Sequence, residues 1–425
     1  MTDILKKLVE HIPLPTMYRI KQKFDDTILN DPMGDLTNLM RTKDAVHTIK
    51  AGQKVAVAVG SRGISRIDEI TKTVISELQR IGAEPFIVPC MGSHGGATAE
   101  GQTEVLAHLG IDEERMGCPV RSSMEVVELD RLPNGLPIYC DKIAAEEADA
   151  IVIINRIKPH TAFRGPIESG LFKMISIGLG KQKGAEACHQ LGFKYMAENV
   201  PAMAKVMIEK LPIRFGVAIV ENAYDQICRI EVLGTDEMEA REIELLVEAK
   251  RNLPQIMFPE LDVLVIDYIG KNISGDGMDP NVTGRYPTPY AHGGPEVNKM
   301  VVLDLTPESK GNANGVGTAD FTTSRLVSKA DWPGTYANGL TSTVCAPTKQ
   351  ATTLADDRDA IKAAVKTCNI LDYTTCRLAR IRDTLHLGTI EISESLLEEA
   401  KNNPRIEIIE GPYTWEFDEE GYLPK

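Results

Sequence analysis

Apolar residues fall along this chain in two rhythms that take turns. "KVAVAVG" (54–60), "EPFIVPCMG" (84–92), "ADAIVIINRI" (148–157) and "RFGVAIVENA" (214–223) are near-continuous apolar runs. That is the pattern of strands covered on both faces of a parallel sheet. Between them, "SRIDEITKTVISELQRIG" (65–82) and "TAEGQTEVLAHLG" (98–110) space their apolar residues as helices do. The first ends at Gly82; the second opens on Thr98 as N-cap and closes before Gly110. "DEMEAREIELLVEAKRN" (236–252) predicts another helix. The alternation predicts an α/β fold whose N-terminal domain is Rossmann-like, with a mostly parallel sheet.

Pro254 and Pro259 then bracket a turn, and "VLVIDYIG" (263–270) opens a second α/β unit. It continues through "KMVVLDLTP" (299–307), a Gly/Asn/Thr-rich middle, the helix "DDRDAIKAAVKTC" (356–368) and the strand-like "TIEIS" (389–393) and "RIEIIEG" (405–411). The expected division is an N-terminal domain over 1–258 and a C-terminal domain over 259–425, with the active site in the cleft between them.

Composition narrows the function classes. The 425 residues are 43% hydrophobic and 25% charged, as in ordinary globular proteins, with a formal charge of −14. That acidity and the lack of a long basic run argue against nucleic-acid or anionic-membrane partners. No apolar run is long enough to span a bilayer. "MTDILKKLVEHIPLP" lacks the features of a signal peptide, so a cytoplasmic protein is expected. The eight cysteines form no C-x-x-C pair, which disfavours a cysteine-built metal site.

Chemistry gathers after the strands. Ser61-Arg62-Gly63 follows the first run, Gly92-Ser93-His94-Gly95-Gly96 the second and Lys158-Pro159-His160 the third. In a parallel sheet all three loops lie at the carboxyl edge, where open α/β sheets bind ligands. Each has a plain reading alone: a tight turn, a surface charge, a solvated imidazole. Their recurrence at successive strand ends favours a site, and two histidines there fit acid–base work near neutral pH. Lys173 interrupts the apolar "LFKMI", either as a snorkelling side chain or as a desolvated nucleophile. Lys181 and Lys183, in the Gly-flanked "GKQKG", are expected to be solvated or to meet a phosphate.

The order Arg62, His94, His160, Lys173, His189, with these neighbours, resembles the nickel-dependent lactate racemase family. The resemblance covers most of the chain and is densest between residues 54 and 195. It implies a nickel-pincer nucleotide, a pyridinium-3,5-bisthiocarboxylic acid mononucleotide joined to a lysine as a thioamide. Nickel would be held by cofactor atoms and one protein histidine. On that pattern Lys173 carries the cofactor, His189 ligates nickel, His94 and His160 are the acid–base pair, and Arg62 meets the substrate carboxylate. As a neutral thioamide, Lys173 would bring little charge into its apolar setting.

The chain also departs from the family pattern. Val59 stands where the lactate racemases carry an acid, and "GPIESGLFK" is poorer in glycine than its counterpart. "GMDPNV" (277–282) resembles a substrate-contacting segment, but Thr283-Gly284-Arg285 replaces the Tyr-Gln and lysine expected after it. Arg285 or Lys271 is therefore the candidate second-domain cation for the carboxylate. The implied activity is racemisation or epimerisation of a 2-hydroxy acid other than lactate, by proton-coupled hydride transfer. The implied partners are that small acid and the proteins that make and load the cofactor, and a homodimer is open to the chain. Two rival readings are a non-catalytic small-anion-binding protein and a nicotinamide-dependent 2-hydroxy acid dehydrogenase. The second requires G-x-G-x-x-G after the first strand, a spacing that "VGSRGISR" lacks.

Overall fold

In the computed structural model, which describes residues 3–61 and 63–424, the apolar runs are strands. In chain order the strands are β1 Met17–Gln22, β2 Lys54–Val59, β3 Glu84–Pro89, β4 Val126–Arg131, β5 Pro137–Asp141, β6 Ala150–Arg156, β7 Ile213–Glu221 and β8 Ile227–Gly234. They continue as β9 Glu260–Ile269, β10 Glu296–Leu305, β11 Phe321–Thr323, β12 Thr352–Leu354, β13 Leu378–Ile381, β14 Thr389–Ser393 and β15 Ile406–Tyr413.

The chain forms two compact units, one of residues 25–253 and one of residues 1–24 with 254–425. The first holds a five-stranded sheet in the order β3-β2-β6-β7-β8. Its first four strands are parallel and β8 closes the edge antiparallel to β7. Val55, Val57, Val59, Val152, Ile154, Val217 and Ile219 share one buried cluster with Ile70, Val74 and Leu78 of the helix Ile67–Arg80. The intervening residues Ala56, Ala58, Ile151 and Ile153 are equally buried. Both faces are therefore covered, which is why these strands read as unbroken apolar runs. Thr98 caps the helix Ala99–His108 by accepting the Gly101 N–H at 3.1 Å.

The second unit carries an eight-stranded sheet in the order β12-β11-β10-β9-β13-β14-β1-β15. Strands β9 to β13 run parallel, while β14, β1 and β15 pair antiparallel. Alternate residues of β9 divide between two cores: Leu264 and Ile266 on one face, Val263 and Val265 on the other. The division differs from the expected boundary at residue 258 mainly at the N-terminus. Residues 17–22 fill the gap between β14 and β15, so the first 24 residues belong with the C-terminal unit. No helix of the described residues is long and apolar enough to cross a membrane.

Candidate functional site

The loops after β2, β3 and β6 are neighbours because those three strands are adjacent and parallel. Ser61 Oγ hydrogen-bonds Nδ1 of the exposed His94, joining the first two loops. Arg62, expected to bind the substrate carboxylate, lies outside the described residues. The His94 loop is held from beneath. Gly95 sits at φ 66°, and a Cβ there would lie 2.7 Å from Gln102 N. Buried Gln102 donates to the carbonyls of Gly92 (2.9 Å) and His94 (3.2 Å) and accepts from Lys181 Nζ at 3.1 Å. Lys181 also donates to Pro89 O at 2.6 Å and lies 3.0 Å from Asp141 Oδ2, with both side chains fully buried. The expectation of a solvated Lys181 is thus overturned: its ammonium braces the loop that carries His94, whereas Lys183 is exposed. Buried charges persist when paired and hydrogen-bonded, as here.

The third loop folds back on itself through paired backbone bonds between Lys158 and Ser169, at 2.8 and 3.2 Å. That closure sets the buried Glu168 carboxylate beneath His160. It accepts the His160 N–H at 2.8 Å and the Lys250 ammonium at 2.6 Å, while Arg164 Nη1 donates to His160 O at 2.6 Å. The imidazole packs against Phe163 and Phe193, with ring centroids 4.5 and 6.0 Å away. The Ala162 N–H donates to Nδ1 at 3.0 Å, and Nε2 lies 2.9 Å from Lys173 Nζ. Burial above all holds His160 well below the usual histidine range, and the nearby cations Lys158 and Arg164 act in the same direction. It is neutral at pH 7.

Lys173 ends a single helical turn, Leu171–Lys173, that enters a π-helical stretch, Met174–Gly178. The start of the turn is pinned twice: Asn155 Nδ2 donates to Gly170 O at 2.9 Å, and buried Glu242 accepts the Phe172 N–H at 3.1 Å. Leu171 and Phe172 take the buried directions and Lys173 a half-buried one. The next helix, Lys181–His189, ends at the half-buried His189. Its Nδ1–H donates to Ala185 O at 2.6 Å, and Phe193 meets the ring edge-on at 5.3 Å. Burial lowers the His189 pKa, against the opposing effect of the Ala185 bond. A neutral histidine with Nδ1–H held by a carbonyl presents Nε2 as the lone pair a metal uses.

The contacts thus join His160, Lys173 and His189 around Phe193. His94 meets Ser61 through its ring and Gln102 through its backbone. Among the described residues no group of three His, Cys, Asp or Glu could hold a metal ion. The described side chains fit a metal that brings most of its own ligands and takes one imidazole from the chain. Sequence reasoning missed Gln102, Glu168, Glu242 and Phe193. One signal was present: Glu242 falls in step with Met238, Leu245 and Ala249 on a buried helix stripe, where a carboxylate is out of place.

In the other unit, Lys271 follows β9 at the carboxyl edge and donates to Gly275 O and Asn338 Oδ1, both at 2.6 Å. Arg285 lies at the opposite end of its strands. Its guanidinium donates to the carbonyls of Val297 (3.1 Å) and Asn298 (2.6 Å), at the start of β10, and to Asp320 at 2.9 Å, just before β11. Those bonds commit it to the amino edge of the sheet, so the substrate-carboxylate role expected of it does not fit its position.

Residues 30–199 match the family model of the lactate racemase N-terminal domain. The fold is similar to that of the lactate racemase apoprotein from Thermoanaerobacterium thermosaccharolyticum, with a TM-score of 0.52 and 14% identity over 88% of this chain and 94% of that one. No curated protein matches the chain in sequence. The matched segment, which is similar to the lactate racemase N-terminal domain, contains His94, His160, Lys173 and His189.

Proposed function

We propose that the chain is an isomerase that racemises or epimerises a 2-hydroxy acid, with a nickel-pincer nucleotide attached to Lys173 and its nickel ligated by His189. The observation that carries this reading is the cluster itself. An amine, a neutral imidazole at 2.9 Å from it and a second imidazole with Nδ1 engaged by a carbonyl share one aromatic-walled region at a parallel-sheet edge. When bound, the nucleotide would supply acceptance and return of a hydride at the α-carbon.

The chain's own residues supply the rest. His189 offers Nε2 to the metal, while its Nδ1–H bond to Ala185 fixes the ring. His94 and His160, from loops after different strands, exchange the hydroxyl proton, one for each enantiomer. Phe163 and Phe193 exclude water beside His160. Arg62 remains the proposed partner of the substrate carboxylate, and Lys271 is the cation that the second unit offers at its own carboxyl edge.

Intact mass of the chain produced together with cofactor-synthesis proteins tests the reading. The expected result is a covalent addition of nucleotide size, mapped to the peptide containing Lys173. An addition on Lys181 or Lys183, or none, would overturn it.

A further inference from the structure

We propose that His160 holds Lys173 as an uncharged amine, making it the chain's pre-formed nucleophile toward an acyl or thioacyl carbon. The inference deepens the reading above by assigning how the attachment residue is made reactive. Its basis is the hydrogen-bond geometry at the imidazole rather than the identity of the cofactor.

The argument is donor and acceptor accounting. A backbone N–H can only donate, so the Ala162 N–H at 3.0 Å makes Nδ1 the acceptor of the ring. In a neutral imidazole the proton then sits on Nε2. Nε2 lies 2.9 Å from Lys173 Nζ, so Nε2–H donates and Nζ accepts. An amine has a lone pair to accept with; an ammonium has none. If Lys173 were an ammonium, two donors would face each other at hydrogen-bond distance. Turning the ring over would exchange both nitrogens for carbons and lose both bonds. An imidazolium would set Nδ1–H against the Ala162 N–H.

The ring is not free to avoid these choices. Glu168 holds its backbone N–H, Arg164 its carbonyl, and Phe163 and Phe193 pack beside it as a contacting pair. Among the described residues, charged and titratable groups around the pair include Lys158, Arg164 and His189, with Cys188 also within electrostatic reach of Lys173 and the Glu168 carboxylate paired with Arg164 and Lys250. The first two are cations, which disfavour a further positive charge at either partner.

Acylation of such an amine is redox-neutral. With acetic anhydride, Nζ forms a bond to the acetyl carbon, the bond from that carbon to the acetate oxygen breaks, and the amine proton leaves to solvent with the acetate. An ordinary lysine, with pKa ~10.4, exposes only about one part in 10³–10⁴ as amine at pH 7.

The test is trace labelling of the full chain, without nickel or nucleotide, by acetic anhydride at pH 7. Each site is normalised to the same site in the unfolded chain. Lys173 is expected to label at least ten-fold faster than the exposed Lys183, and His160→Phe, which keeps the ring packing but removes the donor, should abolish that advantage. Labelling of Lys173 at or below the rate of Lys183 overturns the proposal, as does an advantage that survives His160→Phe. Nitrogen NMR of ¹⁵N-histidine wild type gives an independent reading that needs no variant to fold: His160 should show Nε2 protonated and Nδ1 bare, and the reverse overturns the proposal. A chain that labels at Lys173 but never gains a nucleotide-sized addition would sink the cofactor reading and leave this one standing. Uptake of the addition with slow labelling would do the opposite.

Discussion

Glu242 makes the stability of the Lys173 scaffold depend on pH in a direction opposite to most carboxylates. The side chain is 1% exposed, on the helix Met238–Arg251. It lies so close to Gly170 that a Cβ there would be 2.2 Å from Oε1. Burial pushes its pKa up to about 8, against the lowering effect of the Phe172 and Leu171 N–H groups. A carboxyl raised in the folded state contributes fully below its unfolded pKa of ~4.3, and that contribution is lost as pH climbs through the folded value. At ~1.4 kcal/mol per unit, the rise from the ordinary value to about 8 sets a ceiling of about 5 kcal/mol, with a few kcal/mol expected. Glu242→Gln can still accept the Phe172 N–H but cannot ionise. Denaturant unfolding of both proteins from pH 5 to 9 should show the variant gaining on wild type as pH rises, then a constant difference above about pH 8. Any fixed cost of the amide shifts the curve without changing its slope. A difference independent of pH, or one that shrinks with rising pH, would refute the assignment.

Three further outcomes follow from the geometry. Lys181→Met should cost about 3–5 kcal/mol in denaturant unfolding by leaving Asp141 buried without its cation, and Lys181→Met with Asp141→Leu should cost less than the single change. Arg285→Ala should lower stability by about 1–3 kcal/mol through its lost bonds to Asp320 and two carbonyls, with KM for the acid substrate unchanged; a large rise in KM would return the carboxylate role to it. His189→Ala should retain the addition on Lys173 by mass spectrometry while losing most nickel by elemental analysis.

The elements whose cause is local were legible in the sequence. Strands β2, β3 and β6 announced themselves because a doubly covered strand must be apolar at every position, and the residues after each run are the loops that the parallel sheet brings to one edge as the candidate site. What failed to show depended on distant partners. "MYRIKQ" has no strong alternation, and it is a strand because residues 389–393 and 406–413 flank it. Lys181 looked solvated because its neighbours are glycine and polar residues, while Pro89, Gln102 and Asp141, which bury and pair it, lie 40 or more residues away. Arg285 suited a carboxylate by type and motif, but the motif does not encode which sheet edge it faces.

The bond from Ala162 to the His160 ring sets an order of events. With the ring proton on Nε2, His160 can hold an amine but has no lone pair there for a substrate hydroxyl. On the proposed function, acylation of Lys173 would turn its nitrogen into a donor, and an accepting Nε2 would be wanted instead. That change moves the ring proton to Nδ1, where it meets the Ala162 N–H, so the backbone at 160–162 must yield. On that proposal, loading and turnover call for different tautomers of one ring, and the ring geometry of the folded chain suits the first of them.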